Sequence, residues 1–298
     1  MALLTAVSAA VLAAPASAGL VDPEPVRATR AFESQPAGAV GYLAWTQGRN
    51  PGTLWVKPDG EPRFRVNPRG TSGFVTGGAF DGNRLVYYGR VGTLKQPNIY
   101  FFNLTTKRRS NPPRGVNTRR YSEFAPSRSG DWLLFLRRIP RGEVRRVFLF
   151  NLATRRKIKL DESKGNRRLV QPGTVRGNWA VWTRCRRFDR CATFRYDIAA
   201  GTKVKLPNPN AKSQYAASVT DDGTVYFAES ATIFCGNGFG IWRFPIGGPR
   251  ERLTTLPRRH DAISTSPVVN PDTSVTVFFD RINCRTNTSD IYKLTIAP

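Results

Sequence analysis

Acidic residues, histidine and cysteine are scarce in this chain, and each scarcity narrows what it can do. Only 21 Asp and Glu stand against 46 Lys and Arg, a net charge of +25 over 298 residues, so anionic partners are the natural ones. The one histidine, His260 in PRRHDAI, adjoins Asp261, but no G-x-S-x-G elbow accompanies it. A nucleophilic triad therefore lacks its parts, and a surface histidine is the ordinary reading. Four cysteines occur with neither a C-x2-C pair nor neighbouring histidines, which removes the spacing of a zinc site. GNGFG (236–240) joins two strands and opens no helix, so it reads as a loop and not as a phosphate cradle. Beyond the first twenty residues no apolar run approaches the roughly 18 residues that a membrane span needs.

The opening MALLTAVSAAVLAAPASAGL is apolar and reaches Ala16-Ser17-Ala18 ahead of Gly19, the pattern of a secretory signal over 1–18. It lacks one signal feature, since no Lys or Arg precedes Arg27, and no Cys near the cleavage point suggests a lipid anchor. An exported chain is the expectation.

What is abundant is turn chemistry and short apolar strands: 26 Gly and 22 Pro in a chain that is 40% apolar point to an all-β fold. One strand type recurs around Trp45, Tyr87, Phe135, Trp182, Phe227 and Phe278, at intervals of 42 to 51 residues. A second follows each of these, around Trp55, Tyr100, Phe148, Phe194, Trp242 and Tyr292. That period suits a four-stranded propeller blade. Small-residue stretches such as FVTGGAF, YSEFAPS, VQPGTVR, YAASVTD and ISTSPVV precede the first type, as strands crowded around an axis should be. RFRVN, RKIKL, TKVKL and RERLTT follow the second, alternating basic and apolar as outer strands with one wet face. Turns such as FDGN, SRSGD, VRGN and TDDG join first to second strands. The expectation is a six-bladed β-propeller of four-stranded antiparallel blades over 31–298, with residues 19–30 closing the last blade, although Pro23 and Pro25 disfavour ladder positions.

The repeats resemble the WD40-like repeats of six-bladed TolB-type propellers, most closely in SPVVNPD…VFFDR…DIYKL (266–294) and TDDGTVYFAES…IWRF…ERLTT (220–255). The resemblance implies the architecture. Its Ser-Pro-Asp-Gly turn is nowhere intact here, and no Tol-system partner residue can be matched.

In such a ring the second-to-third connections and the blade-to-blade connections share one face. Cys185, Cys191, Cys235 and Cys284 all fall in second-to-third connections. Cys185 and Cys191 bracket one hairpin, which leaves Cys235 and Cys284 to pair between neighbouring blades. The charge concentrates nearby: residues 101–200 hold 25 Lys and Arg against 7 Asp and Glu. Arg119, Arg120, Arg137, Arg138, Arg141, Arg145, Arg146, Arg186 and Arg187 are the candidate anion-binding residues, their planar forks suited to phosphate and carboxylate. A GC-rich genome also writes Arg for Lys, and solvated Arg protects a sheet edge. The 33 aromatic residues mostly fall on the strand anchors and read as core, not as a sugar platform.

These features point to an exported, monomeric, non-enzymatic binding or scaffolding module of the cell envelope, without a cofactor, whose basic face takes an anionic envelope polymer or a partner protein. Export makes nucleic acid a poor candidate. The alternative is a Ca²⁺-dependent hydrolase using the axial channel, with Glu123, Glu229 and Asp280 as converging ligands.

Overall fold

Each repeat folds as an antiparallel sheet because its two aromatic stretches face each other across a hairpin. In the third, Trp132–Ile139 pairs with Val144–Asn151 residue for residue, setting Phe135 opposite Phe148 with ring centroids 5.7 Å apart. Ser122–Ser129 joins on the inner side and Lys157–Ser163 on the outer, completing four strands. The structure, a computed structural model, describes residues 20–29, 31–49, 52–91, 96–165, 168–186, 190–208, 212–231 and 239–298. The signal-like segment 1–18 lies outside the described residues.

Six such sheets form a β-propeller. Blade 1 runs from Glu33–Ala39 to Phe64–Arg65, blade 2 from Phe80–Asp81 to Arg108–Ser110, and blade 3 is the sheet just described. Blade 4 runs from Arg168–Arg176 to Thr202–Lys205 and blade 5 from Ser213–Val219 to Glu251–Thr255. Blade 6 takes Thr265–Val269, Val275–Asn283 and Thr288–Ile296 from the end of the chain and Glu24–Arg27 from its beginning. Pro25 is tolerated there because the strand is outermost, and the register shifts between Pro25 and Arg27. Among the described residues there is no α-helix, hence none long and apolar enough to cross a membrane, and a single 3-10 turn spans Arg141–Glu143.

Five of the six aromatic anchors stand opposite their expected partners: Trp45 and Trp55, Tyr87 and Tyr100, Phe135 and Phe148, Trp182 and Phe194, Phe227 and Trp242. Blade 6 is offset by one. There Phe279, fully buried, faces Tyr292, while Phe278 lies opposite Lys293 and packs with Leu43, Trp45 and Ile291. Two adjacent aromatics gave the repeat two possible phases, and burial selects the second.

Neighbouring first strands lie against one another around the axis, which explains their small residues. A chain of buried hydroxyls bonds blade to blade. Ser127 Oγ accepts the Val175 N–H at 2.9 Å, Thr174 Oγ1 the Val219 N–H at 2.8 Å, and Ser266 Oγ the Gly38 N–H at 2.9 Å. Ser218 occupies the equivalent place in blade 5, where the next strand offers Pro267 and no N–H, so it bonds the Thr265 hydroxyl at 2.6 Å. In blade 2 crowding is more severe: a Cβ on Gly77 would sit 2.1 Å from the Thr265 carbonyl oxygen. Replacing Ser127 by Ala removes an acceptor from a buried N–H, and an equilibrium urea titration should show a loss of about 1–2 kcal/mol.

Candidate functional site

Antiparallel pairing sends successive connections to alternate ends of each blade. The end that receives the second-to-third connections and the incoming chain carries most of the chemistry. Cys185 and Cys191, the last and first residues of their pairing, face each other in the blade 4 ladder and form a disulfide, both nearly fully buried. Closing so short a loop removes little chain entropy. Changing both to Ser should therefore cost about 2 kcal/mol, readable as a shift in thermal midpoint, with the propeller otherwise retained. Cys235, and with it the expected bond to Cys284, lies outside the described residues.

The arginines separate into groups with different chemistry. Arg119, Arg120, Arg138, Arg141 and Arg186 are exposed; Arg187 lies outside the described residues. Arg137 points inward instead. Its side chain is 8% exposed, its Nε donates to Glu123 Oε1 at 2.8 Å, and its terminal nitrogen donates to the carbonyls of Gly115 and Val116. It ties blade 3 to the chain that enters it, and its charge is neutralised within the protein. Arg146 is half taken in the same sense, paired with Glu162 at 2.7 Å. Lys159 and Lys164 also lie near Glu162, and the Arg146 hydrogen bond is the main reason its carboxyl is held below the usual range.

Beside the disulfide hairpin the structure brings together cations that the sequence scattered. Arg184, Arg186, Arg190, Lys205 and Lys212 line a cleft of about 670 Å³ with Phe194 on its wall, and no carboxylate lines it among the described residues. Arg184 is partly engaged, donating to Asp161, which also accepts the Trp182 indole N–H at 2.7 Å. Of these only Arg186 was in the expected set; Arg184, Arg190, Lys205 and Lys212 are additions. The alternation in TKVKL marked Lys205 only as an outer-strand residue, and Lys212 stands in the chain leaving that strand. Across the hairpin a smaller cleft of about 370 Å³ is lined by Arg168, Arg184 and Arg186 with Glu162.

On the axis, at the same end, lies a cavity of about 390 Å³. Leu136, Leu169, Val170, Pro172 and Ile263 give it an apolar wall. Arg145, Gln171 and Thr183 reach it from blades 3 and 4, and Tyr215 and Asp261 close the far side, the tyrosine hydroxyl donating to Asp261 at 2.9 Å. Burial, reinforced by the neighbouring Arg138 charge and opposed by Glu143, lowers the Arg145 pKa.

The three carboxylates of the metal-hydrolase alternative do not converge. Glu123 is engaged by Arg137 and the Thr118 hydroxyl, and Glu229 by Arg250 at 2.7 Å. Asp280, buried, accepts the backbone N–H groups of Gln35, Ile263 and Ser264 at 3.1, 2.8 and 3.0 Å; burial raises its pKa in spite of them. Among the described residues no three His, Cys, Asp or Glu stand close enough to hold a metal ion. His260 Nδ1 lies 3.2 Å from the Arg258 carbonyl, at the edge of blade 6.

No family model and no curated protein matches the chain. Solved structures do. TolB from Acinetobacter baumannii superposes with a TM-score of 0.57 at 18% identity, over 86% of this chain and 63% of that one. A putative TolB from Agrobacterium tumefaciens gives 0.58 at 11% identity, over 91% and 92% of the two chains. The fold is that of the TolB-type β-propeller. At these identities the likeness is one of fold, and the chain spans less than two thirds of the A. baumannii TolB. The β-propeller domain of the Trilobed protease from Pyrococcus furiosus, described as having an open velcro topology, is also similar, with a TM-score of 0.53 at 11% identity over 89% and 95%. In this TolB-type ring, by contrast, the N-terminal strand pairs with the C-terminal one.

Proposed function

We propose that this protein is an exported, non-enzymatic binding module of the cell envelope that holds an anionic envelope polymer against the disulfide-bearing face of its ring. The observation that carries the reading is the cleft of Arg184, Arg186, Arg190, Lys205 and Lys212, which no carboxylate lines among the described residues and in which only Arg184 is paired, with Asp161. Like charges held together in this way raise the local potential and favour a polyanion whose charges replace the missing counter-groups. The guanidinium forks add bidentate contacts to phosphate or carboxylate oxygens. The two basic clefts share Arg184 and Arg186, and the disulfide links them, Cys185 lining one and Cys191 the other. Export is supported by the signal-like opening and by a disulfide in a small hairpin. Titration with a polyphosphate chain at graded salt, comparing the chain with a variant whose cleft cations are neutralised, tests the reading.

A further inference from the structure

The axial cavity is chemically unlike the basic clefts. It is enclosed by apolar side chains on one side, and its volume of about 390 Å³ lies within the roughly 300–1,000 Å³ that small organic ligands occupy. Among the described residues one cation lines it: Arg145 is half-buried, has Arg138 as a like-charged neighbour, and makes no ion pair among those residues. A guanidinium removed from water without a partner is costly, and a bound anion offsets that cost. Glu143, whose charge acts on Arg145, lies in the connecting turn. The acid across the cavity, Asp261, already accepts the Tyr215 hydroxyl and the Ala262 N–H. Neutral hydrogen-bonding groups, Gln171 and Thr183, line the cavity with Arg145, while Leu136, Leu169, Pro172 and Ile263 offer nothing polar.

We propose that the axial cavity binds a small amphiphilic carboxylate, with its carboxylate on the Arg145 guanidinium and its apolar body along Leu136, Leu169, Pro172 and Ile263. The site is separate from the polymer cleft, which shares no residue with it.

Calorimetric titration of the full chain with octanoate tests this, with octan-1-ol as the uncharged probe of the same length. Saturable binding of octanoate is expected, weakened roughly tenfold or more by Arg145→Gln, because the lost contact is a charge-assisted hydrogen bond. Octan-1-ol should bind the unaltered chain more weakly by a similar factor. Arg145→Lys, which keeps the charge but not the fork, should fall between the two. A variant with Arg186, Arg190, Lys205 and Lys212 changed to Gln should bind octanoate as the unaltered chain does, whether or not it has lost polyphosphate. The proposal is overturned if octanoate shows no saturable binding, if Arg145→Gln binds it equally well, if octan-1-ol binds as tightly, or if the four-residue variant loses octanoate.

Discussion

Deletion of residues 20–29 will destabilise the propeller by about 5 kcal/mol or more and lower its thermal midpoint by on the order of 10 °C. Two losses add. The first is the outer ladder of blade 6, Glu24 opposite Lys293, Pro25 opposite Tyr292 and Arg27 opposite Ile291, together with the Val21 N–H bond to the Leu253 carbonyl. The second is electrostatic. Glu33 is fully buried in the first strand of blade 1; its Oε1 accepts from Arg27 Nε at 2.7 Å and from the Thr29 hydroxyl at 3.1 Å, and its Oε2 has no partner among the described residues. Burial already raises its pKa even with both partners in place. Removing them leaves a buried carboxyl without compensation, a change worth about 3–5 kcal/mol in its own right. The Thr288–Ile296 strand then becomes a bare edge, and aggregation on heating should increase. Arg27→Met separates the two losses, since it keeps the ladder and removes the ion pair; differential scanning calorimetry should place it between the deletion and the full chain. An unchanged midpoint for the deletion would show that the ring does not depend on its N-terminal strand.

The arrangement of blades was legible because each repeat states the same chemistry twice: an aromatic in the second strand and another opposite it in the third. The count and the order of strands follow from that pattern alone. Its phase does not follow where Phe278 and Phe279 stand together, and there only packing against Leu43, Trp45 and Ile291 separates the two. Blade 2 was the least legible. Its first strand is reduced to Phe80–Asp81 and an isolated bridge from Phe74 to Tyr88. The site was read from charge density, and density cannot say which arginines face water. Arg137 and Arg138 are neighbours in sequence, yet strand alternation turns one toward Glu123 and the other toward solvent. The cleft was missed for a related reason. Arg190, Lys205 and Lys212 come from a hairpin, an outer strand and the chain leaving it, and only the fold makes them neighbours.

The polymer-binding face yields the second large effect. With Arg186, Arg190, Lys205 and Lys212 changed together to Gln, affinity for a polyphosphate chain at 50 mM salt should fall roughly a hundredfold, since four of the five cleft cations are removed. Arg184 is left in place, because Asp161 depends on it. For the unaltered chain the logarithm of the binding constant should fall with the logarithm of salt concentration at a slope of about −3, as the four cleft cations other than the Asp161-paired Arg184 require on a single-stranded polyanion, and the variant's slope should approach zero. Arg155 and Arg156, exposed in the third-to-fourth turn of blade 3 on the opposite face, supply the control for net charge. Changing them to Gln should alter affinity only slightly, through long-range potential that salt screens.

The decisive measurement is this salt-graded polyphosphate titration of the three proteins side by side. A steep salt dependence that disappears in the cleft variant and persists in the Arg155 and Arg156 control is the predicted result. Equal losses in both variants, or undiminished binding by the cleft variant, would contradict a binding face beside the disulfide.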